Sequence, residues 1–226
     1  MNEAAKRTAA ERAVGEIQDG MVVGLGTGTT AEIAVDLLGA RVARGLRIRG
    51  VPTSERTAAQ AMRLGIPLIA MQDDWPAIDL AIDGADQVER STLNLVKGLG
   101  GALLREKIVA SAAARFIVMV DDSKLVDRLG GATPLPVEIL PFGQSVTLKR
   151  LVALGLQPRL RLAGGMPFVT DGGHHIADCG FAGIADVAGL DAELSATVGV
   201  VETGLFLGPA AMVVVGHGSG VEVMKR

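Results

Sequence analysis

The chain has 226 residues, 49 % hydrophobic and 21 % charged, with a formal net charge of −3 and a pI of about 5.7. It is long enough for one large domain, or one domain with a smaller companion, and for a sizeable buried core. The absence of any basic run or aromatic-interleaved patch argues against a nucleic-acid surface; no apolar run approaches the ~20 residues that span a bilayer; and the single cysteine, Cys179, excludes an intrachain disulfide.

The N-terminal stretch is charged and helix-like, with no apolar signal region, so a cytoplasmic protein without membrane contact is expected. Residues 3–18 carry alanines and Ile17 at helical spacing, closed by Asp19-Gly20. Met21–Leu25 reads as a short buried strand, followed by the turn Gly26-Thr27-Gly28-Thr29-Thr30 and a helix. A glycine- and threonine-rich turn at a helix N-terminus offers amides, hydroxyls and a positive dipole end, which suits a phosphate. It is not the dinucleotide fingerprint, because Ala31 stands where a third glycine is required. On the turn alone, phosphate binding and a plain tight turn with a threonine N-cap remain equally open.

Leu46–Val51 is the next strand, Pro52-Thr53-Ser54 caps a helix over 55–65, and Pro67–Ala70 is a third strand. A loop at 73–76 leads to Ile78–Asp83, an apolar strand of the parallel type. Short strands alternating with helices of about ten residues predict a doubly wound, mostly parallel α/β sheet, whose ligands sit beyond the carboxyl ends of the strands. Gly26–Thr30, Thr53-Ser54 and Asp83–Asp86 all fall at such ends. Beyond them the pattern gives a brief strand over 91–96, a helix from Ala102 to Ala114, and a core strand Arg115–Val120 ending at Asp121 to Lys124.

Near Gly130 the composition turns Gly/Pro-rich, which reads as a crossing into another unit. A helix (Ser145–Leu154), strands at Pro158–Ala163, Pro167–Thr170 and His174–Asp178, a helix over 183–196 and a strand Val198–Glu202 follow. Met212–Val215 returns to the first sheet. The expected organisation is an α/β domain of residues 1–130 and 207–226, Rossmann-like, with a small α+β domain over 131–206.

Chemistry concentrates between Ile82 and Ala110. Asp83 and Asp86 lie three apart around Gly84 and Ala85, after a buried strand; Lys97 opens a glycine cluster, Gly98, Gly100 and Gly101; Glu106 follows on a helix. Acids, a lysine and freely bending backbone are the parts needed for proton transfer on a small polar substrate. Glu106, flanked by Arg105 and Lys107, would by itself be a salt-bridged surface residue, and only its company argues for a general base. The three histidines, His174, His175 and His217, have no chelating spacing, so no metal is expected. No GxSxG elbow is present for serine hydrolysis.

Taken together, GLGTGTTA (24–31), Thr53-Ser54-Glu55, DGAD (83–86), KGLGGALLREKIVA (97–110), DDSKLV (121–126), PVEILPFG (136–143), TDGGHHIAD (170–178) and VETGLF (201–206) resemble the ribose-5-phosphate isomerases of type A. The resemblance covers essentially the whole chain, in order. It implies interconversion of ribose 5-phosphate and ribulose 5-phosphate through an enediolate, within the non-oxidative pentose phosphate pathway, with no metal or organic cofactor. It implies Glu106 as the proton carrier, with Lys97, Asp83 and Asp86 holding hydroxyls and carbonyl, and either Asp assisting ring opening. Thr27, Gly28, Thr29 and Thr30 would bind the phosphate, joined by Lys6 and Lys124, and the backbone of Gly84, Ala85, Gly98, Leu99 and Gly100 would line the substrate. A homo-oligomer, dimer or tetramer, is also implied.

The chain departs from that pattern at Leu99, where the loop usually has glycine, at Gln87, usually an acid, and at Gly172, His174 and His175 of the small domain. The alternative is a non-catalytic sugar-phosphate sensor on a similar fold, for which an attached DNA-binding region is expected and not found in the 226 residues.

Overall fold

Valine- and isoleucine-rich runs punctuated by glycine turns build the six-stranded sheet of the first of two units. The computed structural model describes residues 3–69, 76–181, 183–208, 210–218 and 220–225. The first unit comprises Met1–Ala85, Arg105–Leu125 and Gly208–Arg226. It holds α1 (Glu3–Val14), β1 (Val22–Leu25), α2 (Thr29–Val42), β2 (Arg49–Pro52), α3 (Glu55–Arg63), β3 (Leu80–Asp83), α4 (Leu103–Ala112, entering from the other unit), β6 (Phe116–Asp121), β15 (Met212–His217) and β16 (Gly220–Lys225).

The strand order is β16-β15-β6-β3-β1-β2, parallel throughout except for β16, which pairs antiparallel with β15. Side chains alternate across the sheet. Val23 and Leu25 of β1 and Leu80 and Ile82 of β3 pack with Ala9 and Ala13 of α1 and with Ala34 and Leu38 of α2. Gly24 faces the other way, where a Cβ would lie 2.5 Å from Val109 of α4 and 2.8 Å from Ala81. Helices therefore cover both faces, as the doubly wound pattern predicts. α1 lies so close to β15 that a Cβ on Gly216 would overlap the carbonyl of Ala5.

The second unit comprises Asp86–Leu104 and Val126–Leu207. Residues 86–104, which the sequence pattern groups with the α/β domain, pack here. This unit contains β4 (Gln87–Glu89) and β5 (Leu95–Val96), the crossover strand β7 (Leu125–Val126), and β8 (Leu135–Ile139). It continues with α5 (Gln144–Ala153), β9 (Gln157–Leu160), β10 (Leu162–Ala163), β11 (Met166–Pro167), β12 (His175–Gly180), α6 (Val187–Ser195), β13 (Val200–Thr203) and β14 (Leu205–Phe206). Its main sheet runs β13-β8-β12-β9, all antiparallel. Leu135, Val137, Ile139, Ala177, Cys179 and Leu194 form its core. Burial, reinforced by the neighbouring Asp178 charge, pushes the Cys179 thiol up to about 12, so it is an inert core group rather than a nucleophile.

Several elements differ from the sequence pattern. The Gly/Pro-rich stretch read as a crossing contains β8, a fully buried strand, because β12 and β13 pair with it on either side. The expected strand at 67–70 is a single bridge from Leu68 to Gly50, with Ala70 outside the described residues. The strand over 91–96 shrinks to β5, and β4 forms ahead of it. The first helix stops at Val14 rather than at residue 18, although Ile17 is still buried. The expected strand Pro158–Ala163 breaks in two at Arg161.

Candidate active site

In the first unit the site grows from the C-terminal ends of β1, β2 and β3. β1 ends in a turn that needs glycine twice. Gly28 adopts φ 116°, a conformation that L side chains rarely adopt, and caps α2 without a side chain of its own. Gly26 lies so close to Asp83 that a Cβ would overlap the carboxyl group. The Asp83 carboxylate, 3 % exposed, accepts the backbone N–H of Thr27 at 3.1 Å and that of Gly84 at 2.7 Å. Two amides on one oxygen fix the direction of this acid.

Thr27 is the joint of a buried hydroxyl network. Its Oγ1 lies 2.7 Å from Thr53 Oγ1 and 3.1 Å from Thr57 Oγ1, and donates to Ser54 Oγ at 2.8 Å. Ser54 donates to Thr57 at 3.1 Å, and Thr57 to the carbonyl of Gly26 at 2.9 Å. Each hydroxyl has one proton, so donation runs one way, from Thr27 through Ser54 and Thr57 to Gly26, the residue packed under Asp83. Thr53, with one proton, has Thr27 at 2.7 Å and the carbonyl of Leu25 at 3.1 Å in reach. The hydroxyl of Thr27, assigned from sequence to the phosphate, is thus engaged inward, and its amide is on Asp83. Removing the terminal donor by Thr57→Val is expected to cost about 1–3 kcal/mol of stability, the penalty for a buried carbonyl left unsatisfied. Urea unfolding measures it, and an unchanged midpoint would disprove the network's structural role.

Thr29 and Thr30 open α2, so their amides belong to its unsatisfied first turn. Lys6 of α1, only 5 % exposed, donates to Thr29 Oγ1 at 2.7 Å, and so adds a cation to that helix end. Lys124 lies in a 3₁₀ turn (Asp122–Lys124) after β6, shaped by Asp121, whose Oδ1 accepts from the amide of Ser123 at 3.1 Å and from its hydroxyl.

Glu106 occupies the first turn of α4 and is 3 % exposed, not the solvated residue its charged neighbours would predict. It precedes Val109 by three residues and shares its face. Val109 meets Gly24, and the chain leaving α4 is tied to the residue before β3 by the amide of Ala114 on the carbonyl of Ile78. Glu106, one turn nearer the helix N-terminus, therefore lies toward the carboxyl ends of the strands, where Gly26 and Asp83 are. Arg105 turns aside to pair with Glu55 at 2.9 Å. The structure thus brings Glu106 and Asp83 to one face and one end of the sheet.

In the second unit Asp86 and the glycine loop form a closed piece. The amide of Asp86 bonds the carbonyl of Val96 at 2.8 Å, and its Oδ2 accepts the amide of Leu99 at 2.9 Å. Lys97 is 3 % exposed, its amide bonds the carbonyl of Gly204 at 2.9 Å, and its ammonium stands 5.6 Å over the ring of Phe206. Leu99 is accommodated simply. The left-handed positions are Gly98 at φ 111° and Gly101 at φ 84°, so position 99 needs no glycine, and its side chain is 44 % exposed. Gln87, in place of the usual acid, donates to the carbonyl of Gly130 at 2.8 Å and accepts its amide at 2.7 Å, a neutral pairing that a carboxylate could not complete.

Sequence reasoning missed Thr57, Phe206 and Arg161. The first two had signals, the i+3 spacing from the Ser54 cap and the VETGLF segment; Arg161 had none. Among the described residues, no group of three or more His, Cys, Asp or Glu side chains is arranged to hold a metal ion, and no helix is long and apolar enough to cross a membrane.

The sequence signature of the family "Ribose 5-phosphate isomerase A (phosphoriboisomerase A)" matches residues 49–220. A ribose-5-phosphate isomerase A from Gloeobacter violaceus is 54 % identical over 219 residues, 97 % of this chain and 95 % of the relative. The structure of ribose 5-phosphate isomerase A from Methanocaldococcus jannaschii superposes with a TM-score of 0.95 at 41 % identity, over 100 % of both chains. A D-ribose-5-phosphate isomerase solved in complex with phospho-erythronic acid gives a TM-score of 0.94 at 40 % identity, again over 100 % of both.

Proposed function

The chain belongs to the ribose 5-phosphate isomerase A family, and on that premise we propose the roles of its residues in the reaction. The activity is the interconversion of D-ribose 5-phosphate and D-ribulose 5-phosphate. The observation that carries the assignment of residues is the burial of Glu106 on the same face and at the same end of the sheet as Asp83.

Glu106, as a carboxylate, takes the proton from C2 of the open-chain aldose. The C2–H pair forms the C1=C2 bond and the carbonyl electrons move onto the C1 oxygen, which gives the 1,2-enediolate. The proton of the C2 hydroxyl then passes to the C1 oxygen, the C1=C2 pair takes back the carried proton from Glu106 to form the new C1–H bond, and the electrons left on the C2 oxygen close the C2 carbonyl. One carboxylate serves both carbons. Lys97 stabilises the developing oxyanion as a desolvated cation. Asp83 and Asp86 hold substrate hydroxyls, and one of them assists ring opening. The phosphate goes to the N-terminus of α2, through the amides of Thr29 and Thr30, which Gly28 permits, with Lys6 and Lys124 as its cations. Phospho-erythronic acid, the ligand of the related structure, carries a phosphate and a carboxylate whose two oxygens stand in for those of the enediolate.

No step requires a metal, so conversion of ribose 5-phosphate is expected to persist with excess EDTA. No conversion at all, or activity that vanishes on chelation, would sink the reading. The place in metabolism is the non-oxidative pentose phosphate pathway, and the compartment the cytoplasm, which cell fractionation tests. A homo-oligomer is supported by apolar side chains exposed on the second unit, Phe142 (94 %), Met166 (71 %) and Val198 (74 %). Sedimentation equilibrium that gave a monomer would refute it.

A further inference from the structure

We propose that Arg161 is a positioning residue for the Lys97–Gly101 loop, an inference that rests on the role given above to that loop. Arg161 stands where the strand leaves the four-stranded sheet. Its amide bonds the carbonyl of Ile176 at 2.8 Å in β12, while its carbonyl accepts the amide of Phe168 at 2.9 Å in the small ribbon. Freed from the ladder's alternation, the side chain crosses to the loop, and it is only 14 % exposed.

The guanidinium uses its fork fully. Nε and Nη2 donate to the two carboxylate oxygens of Asp178, at 2.9 and 2.5 Å, and Nη1 donates to the carbonyls of Gly98 at 3.0 Å and Leu99 at 3.2 Å. Its carbon lies 5.8 Å from the centre of the Phe168 ring. That ring also closes the end of the loop, since a Cβ on Gly101 would lie 2.6 Å from it. Asp178 neutralises and aims the cation, so the backbone carbonyls face a donor of fixed direction.

The consequence follows from peptide planarity. Holding the Gly98 carbonyl toward Arg161 turns the Leu99 N–H the opposite way, and there it meets Asp86 Oδ2 at 2.9 Å. Holding the Leu99 carbonyl likewise turns the Gly100 N–H away from Arg161, toward the side of the loop that Asp86 occupies. Arg161 thereby fixes two peptide planes in a segment whose glycines would otherwise let them rotate, and presents the Gly100 amide as a donor for a substrate oxygen. Lysine cannot replace it, because a point charge cannot bridge a carboxylate and two carbonyls in one plane.

The test compares Arg161→Lys, Arg161→Met and Asp178→Asn with the unmodified protein. For each, kcat and KM for ribose 5-phosphate are measured, together with the inhibition constant of inorganic phosphate, which reads the turn at Thr29 in the first unit. Both Arg161 variants are expected to lose kcat, ~10-fold for lysine and ~100-fold for methionine, the scale of a misplacement of about 1 Å. KM is expected to move less than kcat, the phosphate constant to stay within about twofold, and Asp178→Asn to fall between. Values of kcat within about twofold of the unmodified enzyme would overturn the proposal. A phosphate constant that weakens in step with kcat would also overturn it, since that marks general loosening. If the methionine variant does not fold, the lysine and asparagine variants decide. An unmodified protein with no isomerase activity would instead sink the functional reading.

Discussion

Replacing Glu106 with glutamine is expected to lower kcat for ribose 5-phosphate by ~10⁴-fold, the upper end of what a single general base contributes. The amide keeps the shape and burial of the side chain but cannot accept the proton, so the affinity for inorganic phosphate should stay within a few-fold. A second observable separates chemistry from binding. In D₂O the unmodified enzyme should wash deuterium into C1 and C2, followed by NMR, and the glutamine variant should not. Glu106→Asp, shorter by one methylene, should retain a measurable fraction because the functional group survives while its reach does not. Near-normal turnover or exchange in the glutamine variant would show that another group carries the proton.

Gly26→Ala should have the second largest effect, though it adds only a methyl group. The new Cβ would lie 2.6 Å from the Cβ of Asp83 and overlap its carboxyl group. Asp83 cannot yield without giving up its bonds from the amides of Thr27 and Gly84. A shift of that carboxylate by about 1 Å should cost kcat ~100-fold. Gly220→Ala is the control, because a Cβ there meets nothing within 4 Å and its φ is not in the left-handed range. The variant would be solved crystallographically as well as assayed. If its activity matched the control's, the Gly26–Asp83 contact would have no catalytic meaning.

How much of this was legible beforehand can be argued from particular residues. Periodicity placed β1, β3 and β6 because fully buried parallel strands are continuous apolar runs, VVGL, LAID and FIVMVD. The same logic misread β8, since Pro136 within it, Pro134 before it and the neighbouring glycines imitate a linker, while long-range pairing with β12 and β13 makes it a strand. The buried Glu106 could be found only by its motif, as its charged neighbours Arg105 and Lys107 argue for the surface. Leu99 departs from the family's glycine pattern without harm, because the conformations that need glycine fall at Gly98 and Gly101. Arg161 was invisible because the loop carbonyls it holds are 62 and 63 residues away, and no local pattern encodes them.

The order β16-β15-β6-β3-β1-β2 sets a condition on how this protein is made. β6 is an interior strand, yet its neighbour β15 is synthesised about ninety residues later, after the whole of 126–207 has been translated. Until then a fully buried strand, FIVMVD, has one open edge, which is the kind of surface that recruits foreign strands. Closing a loop of that length adds only slowly to the entropic cost, but it makes the contact order high and the sheet slow to complete. During synthesis the hazard therefore lies at β6, and whatever shields that edge on the ribosome, be it a chaperone or a temporary fold of the nascent chain, governs the yield of active enzyme.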